Sequence, residues 1–311
     1  MKGDSILPIE HCNPVGDLLP RVHPYYYTDY GAAYLGDSAE LLKKIPSDTI
    51  DLIITSPPYA LVFKKEYGNV DASEYIDWFL GFADQIRRVL KESGSFVLNI
   101  GGCWNKGSPT RSLYQFELLL ALSKKFHFAQ EFFWFNPAKL PSPAEWVNVR
   151  RIRVKDSVEY IWWLSKTDSP KADNRKVLTP YSDDMERLIK NGYRAKKRPS
   201  GHNITSKFQK DHGGAIPSNL FRIGNTDSGS IYHKRCEEAS VKPHPARFPS
   251  ELPEFFVKFL TDAGDVVLDP FGGSNVTGRA AEILKRKWLC FEIVKEYLDG
   301  SRFRFDYSYE D

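Results

Sequence analysis

Four consecutive residues, Ser56-Pro57-Pro58-Tyr59, could bind a planar group that carries an exocyclic amine. Two prolines fix the backbone φ angle and leave carbonyl oxygens that have no competing N–H donors. Those carbonyls and the Ser56 hydroxyl would accept hydrogen bonds from the amine, while the Tyr59 ring would stack on the face of the planar group. An isolated Pro-Pro pair usually does no more than end a strand, so a second motif is needed to choose between the two interpretations.

The run Asp269-Pro270-Phe271-Gly272-Gly273-Ser274 is that second motif, and it stands between an apolar run and a helical pattern. Paired glycines let a ligand approach the backbone closely, and the start of a helix offers free N–H groups. Glu292 lies 19 residues beyond Gly273, where a doubly wound fold places the acid that binds ribose hydroxyls. The spacing is not G-x-G-x-x-G, which favours a nucleoside cofactor without a pyrophosphate. The alternative is a tight turn followed by an ordinary surface glutamate.

Short apolar runs alternate with helical patterns along the chain, which indicates an α/β fold. The strands are predicted at residues 32–35, 51–55, 95–100, 131–135, 158–164, 266–268 and 288–293, and the helices at 76–90, 113–122, 251–261 and 276–284. Both motifs follow a strand, and open α/β sheets carry their sites at the carboxyl ends of strands. Residues 167–241 lose this periodicity, which predicts a loop-rich insertion or a small domain.

Composition limits the class of protein. The chain has 311 residues, 41% hydrophobic and 27% charged, which is typical of a globular protein. No 18-residue apolar run predicts a membrane span, and the first 24 residues do not resemble a signal peptide. The four cysteines are far apart, which argues against a disulfide framework or a thiolate zinc site and favours a reducing compartment.

Positive charge is concentrated in one region. Residues 139–210 contain 17 Lys and Arg against 8 Asp and Glu, whereas the rest of the chain contains 26 against 32. A basic block with interleaved aromatic residues indicates a polyanionic partner, although a solvated surface would have the same composition.

Together the motifs resemble those of the S-adenosylmethionine-dependent DNA amino-methyltransferases, which join a [DNS]-P-P-[YFW] tetrad to a D-x-F-x-G type loop. The resemblance spans nearly the whole chain and includes Gly36-Asp37-Ser38, the tetrad, the run from Lys242 to Pro249, the loop from Asp269 to Asn275, and Glu292. The tetrad precedes the cofactor loop, as in the β-group permutation. Asn275 departs from the pattern, because many relatives have a third glycine there.

The first residue of the tetrad bears on the target base. Ser56 in that place suggests N4-cytosine as the target. Three stretches are similar to the Pvu type of N4-cytosine methyltransferase from restriction–modification systems: Asn136–Asn148, Arg198–His202 and Phe271–Asn275.

The resemblance implies a Rossmann-like methyltransferase fold with a mostly parallel seven-stranded sheet in circularly permuted order. Residues 1–135 would form the catalytic part. Residues 136–241 would hold the strand and hairpin end of the sheet plus a loop-rich target recognition region. Residues 242–311 would form the cofactor-binding part.

The same resemblance assigns roles to individual residues. Ser56, Pro57, Pro58 and Tyr59 would hold a flipped cytosine in the transition state, with no metal and no covalent enzyme intermediate. Methylation of cytosine C5 needs a nucleophilic cysteine, usually directly after a proline. No cysteine of this chain follows a proline, which argues against C5 methylation. Cofactor contacts are expected at Asp37, Arg247, Phe248, Pro249, Asp269, Pro270, Phe271, Gly272, Gly273, Ser274, Asn275 and Glu292. DNA contacts are expected from two other observations, the position just after the tetrad (Lys64, Lys65) and the basic block (Arg150, Arg151, Arg153, Lys197, Arg198 and His202).

The expected partner is double-stranded DNA, and S-adenosylmethionine is the expected methyl donor. The resemblance further suggests a cytoplasmic, nucleoid-associated protein that is a monomer or weak dimer and is not bound to a membrane. A cognate restriction endonuclease would share its system without forming a stable complex. Three alternatives stay open: N6-adenine methylation, a catalytically silent DNA-binding relative, and methylation of RNA or a protein amide.

Overall fold

A computed structural model describes residues 13–60, 70–192, 210–225, 230–247 and 249–305. In these ranges, nine strands form one sheet in the order β1-β2-β9-β8-β3-β4-β6-β5-β7. In chain order they are β1 (Tyr26–Tyr27), β2 (Gly31–Leu35), β3 (Ile50–Thr55), β4 (Leu90–Ile100), β5 (His127–Phe135), β6 (Val158–Ser165), β7 (Leu220–Arg222), β8 (Val266–Asp269) and β9 (Lys287–Glu292).

The seven longer strands form the predicted, mostly parallel sheet. Strands β2, β9, β8, β3 and β4 are mutually parallel, and β6 runs antiparallel to both β4 and β5. The other two strands, β1 and β7, are short edge strands of two and three residues. Strands this short carry no periodic pattern, and for that reason the sequence did not predict them.

The described ranges contain eight α-helices. They are α1 (Ser38–Lys44), α2 (Tyr75–Val89), α3 (Tyr114–Leu122), α4 (Asp183–Asn191), α5 (Ile231–Glu238), α6 (Glu251–Leu260), α7 (Val276–Ile283) and α8 (Lys295–Ser301). Shorter 3₁₀ turns span Gly16–Leu18, Asn174–Val177 and Arg302–Phe305, and a π-helical turn spans Glu145–Val149. The stretch predicted to be loop-rich, residues 167–241, also contains α4, α5 and β7.

Each face of the sheet buries its own apolar cluster. Ile53 of β3 packs into a cluster with residues of α1, α2 and α3, whereas its neighbours Leu52 and Ile54 pack on the opposite side with residues of α6, α7 and α8. Every residue of β3 is buried because helices cover both faces. A parallel strand that is buried on both faces is mostly apolar along its length, which explains the apolar run seen in the sequence.

The sheet places the two motifs side by side, although they are far apart in the chain. Strand β3 leads into the Ser56–Tyr59 tetrad, and β8 leads into the loop of residues 269–275, called the glycine-rich loop below. The two strands are adjacent and parallel, with Leu52 opposite Val267 and Ile53 opposite Leu268. Because parallel strands end at the same edge, both motifs open at one edge of the sheet.

Two features are absent from the described ranges. No helix there has the length and apolar composition needed to cross a membrane. In the same ranges, no group of three or more His, Cys, Asp or Glu side chains could hold a metal ion.

Candidate active site

The tetrad forms a compact turn at the end of β3. The Ser56 and Tyr59 hydroxyl oxygens are 3.0 Å apart and form a hydrogen bond. The Tyr59 ring lies directly against the backbone of Gly101, which follows β4. A Cβ atom at Gly101 would lie 2.6 Å from Cε2 of that ring, so the ring occupies this position only because residue 101 is a glycine.

A carboxylate and an ammonium group that sequence reasoning missed lie behind the tetrad. The Tyr59 hydroxyl donates to Oε2 of Glu159 at 2.9 Å, and Nζ of Lys139 donates to Oε1 of the same carboxylate at 3.0 Å. Burial is the main reason that the pKa of the Tyr59 hydroxyl lies well above its usual value, and the nearby Glu159 charge adds to the shift. The sequence gives no signal for this contact, because Glu159 is 100 residues beyond Tyr59.

The glycine-rich loop approaches β9 so closely that a side chain would not fit. A Cβ atom at Gly272 would lie 2.1 Å from Sγ of Cys290. Gly273 has a φ of +53°, in the left-handed region that favours glycine. Its N–H donates to Oε2 of Glu292 at 2.8 Å, and the N–H of Val294 donates to Oε1 at 2.8 Å. Burial raises the pKa of the Glu292 carboxyl.

Asp269 links the two motifs. Its Oδ1 accepts from the Thr55 hydroxyl at 2.6 Å and from the N–H of Phe271 at 3.1 Å, while its Oδ2 accepts from the Thr277 hydroxyl at 2.7 Å. The side chain is 2% exposed, and burial raises its pKa to about 6. The carboxylate therefore fixes the end of β3 to the glycine-rich loop.

The turn after β2 also meets this loop. The Asp37 side chain caps α1 by accepting from the N–H of Ala39 at 2.8 Å, and the Ser38 hydroxyl donates to the carbonyl of Pro270. The N–H of Gly36 donates to the carbonyl of Glu292 at 3.0 Å. These contacts bring Asp37 to the same edge of the sheet as Glu292.

Asn275 has a different position from the one expected of a cofactor contact. Its side chain is fully buried, accepts from the N–H of Gly278 at 3.0 Å and donates to the Tyr26 hydroxyl at 3.0 Å. Its φ is +56°, a conformation that asparagine adopts more readily than most residues. Asn275 thus occupies a glycine-like backbone position while capping α7.

The segment that precedes α6 supplies another wall. The His244 ring packs edge-on against Tyr297 with ring centres 4.4 Å apart, and burial lowers its pKa to about 4. Arg247 donates to the carbonyl of His244 at 2.6 Å. The carbonyl of Pro249 accepts from the N–H of Leu252 at 3.2 Å, within the turn that begins α6. Phe248 lies outside the described residues.

One cavity of about 1470 Å³ is lined by both motifs. The predicted site residues that line it are Asp37, Ser56, Pro57, Pro58, Tyr59, Arg247, Asp269, Pro270, Phe271, Gly272, Gly273, Ser274 and Glu292. Pro249 and Asn275 are not among the lining residues. The glycine cradle and the acid at its side suit a nucleoside with ribose hydroxyls.

The predicted DNA contacts fall partly within the described ranges. Arg150, Arg151 and Arg153 are exposed on the segment between β5 and β6, whose residues 139 and 142–144 line the cavity. The Arg150 guanidinium lies over the Trp146 ring at 5.3 Å, and Arg153 donates to the carbonyl of Pro109 at 3.0 Å. Five other predicted contacts lie outside the described residues: Lys64, Lys65, Lys197, Arg198 and His202.

Comparisons with known proteins agree with this geometry. The sequence model of a family described as DNA methylase matches residues 50–303. The chain is 52% identical over 287 residues to the type II methyltransferase M.PvuII of Proteus hauseri, covering 91% of this chain and 85% of that protein.

Solved structures add further matches. The structure of PvuII DNA methyltransferase (cytosine-N4-specific) superimposes with a TM-score of 0.76 at 45% identity, covering 93% of this chain and 91% of that one. A putative DNA modification methylase from Thermus thermophilus, solved in complex with S-adenosyl-L-methionine, has a TM-score of 0.54 over 87% of this chain and 92% of its own. At 20% identity it shows a shared fold only.

Proposed function

Because the chain belongs to the DNA methylase family, we propose that it transfers a methyl group from S-adenosylmethionine to the N4 amine of a cytosine in double-stranded DNA. The observation that carries the proposal is the single cavity shared by the tetrad and the glycine-rich loop, with the Thr55–Asp269 hydrogen bond between them. This arrangement brings an amine-binding corner and a nucleoside-binding cradle into one compartment. Its specificity for N4 follows that of the PvuII DNA methyltransferase, named as cytosine-N4-specific.

The protein's own residues would hold the two reactants and orient them. Glu292 would accept hydrogen bonds from ribose hydroxyls, and the backbone of Gly272 and Gly273 would contact the cofactor closely. When bound, S-adenosylmethionine supplies an electrophilic methyl group. The Ser56 hydroxyl and the Pro57 carbonyl would accept hydrogen bonds from the amine, which favours the pyramidal nitrogen of the transition state.

The target base must leave the duplex before it can enter this cavity. A base stacked in DNA cannot present its amine to a buried methyl donor, so the cytosine must be flipped out. The Tyr59 ring would stack on its face. Residues 136–241 would contact the surrounding duplex, where Arg150, Arg151 and Arg153 neutralise phosphates and produce a salt-dependent affinity. The catalytic part would then comprise residues 1–135 and the cofactor part residues 242–311.

The biological setting that we propose is a restriction–modification system. The named relative is a type II methyltransferase, and this chain would protect the sites of a cognate endonuclease without a stable complex between the two. A monomer or weak dimer is sufficient, because replication leaves one strand to be methylated at each site. Such an enzyme would act in the cytoplasm, on the nucleoid.

A product analysis tests the proposal. The protein is incubated with labelled S-adenosylmethionine and plasmid DNA, the DNA is digested to nucleosides, and the labelled nucleoside is identified. The deoxynucleoside of N4-methylcytosine is the expected product. N6-methyladenine would overturn the choice of target base, and cofactor binding without any labelled DNA would overturn the assignment as an enzyme.

A further inference from the structure

A continuous chain of hydrogen bonds connects the tetrad to a carboxylate at the cavity wall. The Ser56 hydroxyl is 3.0 Å from the Tyr59 hydroxyl, which is 2.9 Å from Oε2 of Glu159. The other carboxylate oxygen, Oε1, accepts from Lys139 at 3.0 Å. The Glu159 side chain is 16% exposed, so it is largely withdrawn from water yet still borders the cavity.

The direction of each bond follows from the chemistry of its ends. An ionised carboxylate can only accept and an ammonium group can only donate, so the proton of Tyr59 points to Glu159. The Tyr59 oxygen must then accept from the Ser56 hydroxyl. Lone pairs of Ser56 are left to accept an N–H from a substrate amine. The Asn99 amide, 3.3 Å from the Tyr59 hydroxyl, is the more distant acceptor for that single proton.

The other carboxylates that line the described part of the cavity form hydrogen bonds with groups outside the tetrad. Asp37 caps α1, and Asp156 is bound by Arg111 and by the Trp104 indole N–H. Asp269 accepts from Thr55 and Thr277, and Glu292 accepts from two backbone N–H groups. Glu159 is the carboxylate among them that is linked to the tetrad through hydroxyl groups.

We propose that Glu159 takes up, through the hydroxyls of Tyr59 and Ser56, the proton that the target amine loses during methylation. This inference rests on the function proposed above. As the N4–carbon bond forms and the methyl–sulfur bond breaks, N4 carries one proton more than the product does. That proton passes to Ser56, the Ser56 proton passes to Tyr59, and the Tyr59 proton passes to Glu159. The N–H electron pair stays on N4, and the carboxylate becomes a neutral acid.

A double-mutant cycle tests whether Glu159 acts through Tyr59. The variants are Glu159→Gln, Tyr59→Phe and the combination, measured by single-turnover methyl transfer at saturating DNA and cofactor. Each single variant should lose about 10²-fold in rate, within the range of general base catalysis, and the combination should lose no more than either alone. Glu131→Gln is the matched control, because that glutamate is exposed on the neighbouring strand β5.

Chemical rescue separates proton uptake from a purely structural role. Glu159→Ala opens space beside the cavity, and added formate should restore part of its rate, whereas chloride at equal ionic strength should not. A rate for Glu159→Gln equal to that of Glu131→Gln would overturn the inference, as would losses that multiply in the double variant or an absence of rescue by formate. Wild-type protein that forms no N4-methylcytosine would instead overturn the proposed function itself.

Discussion

A single methyl group added at Gly101 should displace the Tyr59 ring and slow methyl transfer. The added Cβ would lie 2.6 Å from Cε2 and 2.8 Å from Cδ2 of the ring, against an ordinary contact of at least 3.4 Å. The backbone cannot easily retreat, because the Gly101 carbonyl accepts a hydrogen bond from the buried Tyr114 hydroxyl. The ring must therefore move by about 0.8 Å, the difference between these distances.

A shift of this size breaks the contacts that orient the ring. If the Tyr59 hydroxyl moves by that amount away from Glu159, its 2.9 Å bond lengthens beyond hydrogen-bonding range. Misplacement of a catalytic group by about 1 Å can cost about 10²-fold in rate, so Gly101→Ala should lower the single-turnover rate by about that factor. The affinity for S-adenosylmethionine should change by less than about twofold, because the added Cβ contacts Tyr59 and not the glycine-rich loop.

The assay is single-turnover transfer of label to DNA, together with calorimetric binding of S-adenosylmethionine. Gly16→Ala is the matched control, because a Cβ there would meet Asn13 at an ordinary 3.6 Å. If the Gly101→Ala and Gly16→Ala proteins methylate DNA at the same rate, the reasoning about the ring position is refuted.

Three further predictions concern the site and its surroundings. Glu292→Gln should weaken S-adenosylmethionine binding about tenfold or more by calorimetry, because the amide nitrogen that replaces one carboxylate oxygen cannot accept a hydrogen bond from a ribose hydroxyl, at a cost of about 1.5–3 kcal/mol for a bond to a charged group; an unchanged affinity would contradict this. Burial lowers the pKa of His244 to about 4, whereas the pKa of the unfolded ring is about 6.5. The folded protein is therefore most stable above about pH 6.5, and it loses stability as the pH falls towards about 4, because only the unfolded ring gains a proton in that range. Between pH 7 and pH 5 the free energy of unfolding should fall by about 2 kcal/mol from this group, and urea titrations of His244→Asn should lack that part of the decrease. Gly81 lies within α2 with open space around its Cβ position, so Gly81→Ala should raise the free energy of unfolding by about 0.5–1 kcal/mol, and a lower melting temperature would count against it.

The sequence was informative wherever a property is local. The run Asp51–Thr55 has an apolar centre because both faces of its strand are covered, and the apolar spacing from Ile76 to Leu90 anticipated α2 to within a residue of its Tyr75–Val89 bounds. The tetrad and the glycine-rich loop were recognisable because their chemistry depends on consecutive residues. Short elements such as α1 were missed, since seven residues carry too little of a periodic pattern.

The sequence by itself determined the two motifs, because each consists of consecutive residues, and the motifs in turn identified the family and the methyl donor. Only the tertiary structure decided which distant residues complete them. Thr55 meets Asp269 across 214 positions and Tyr59 meets Glu159 across 100, because β3 pairs with β8 and β6 packs beside β4. Buried strands read as similar apolar runs, so their order in the sheet, and with it every contact between them, is fixed by long-range packing rather than by local pattern.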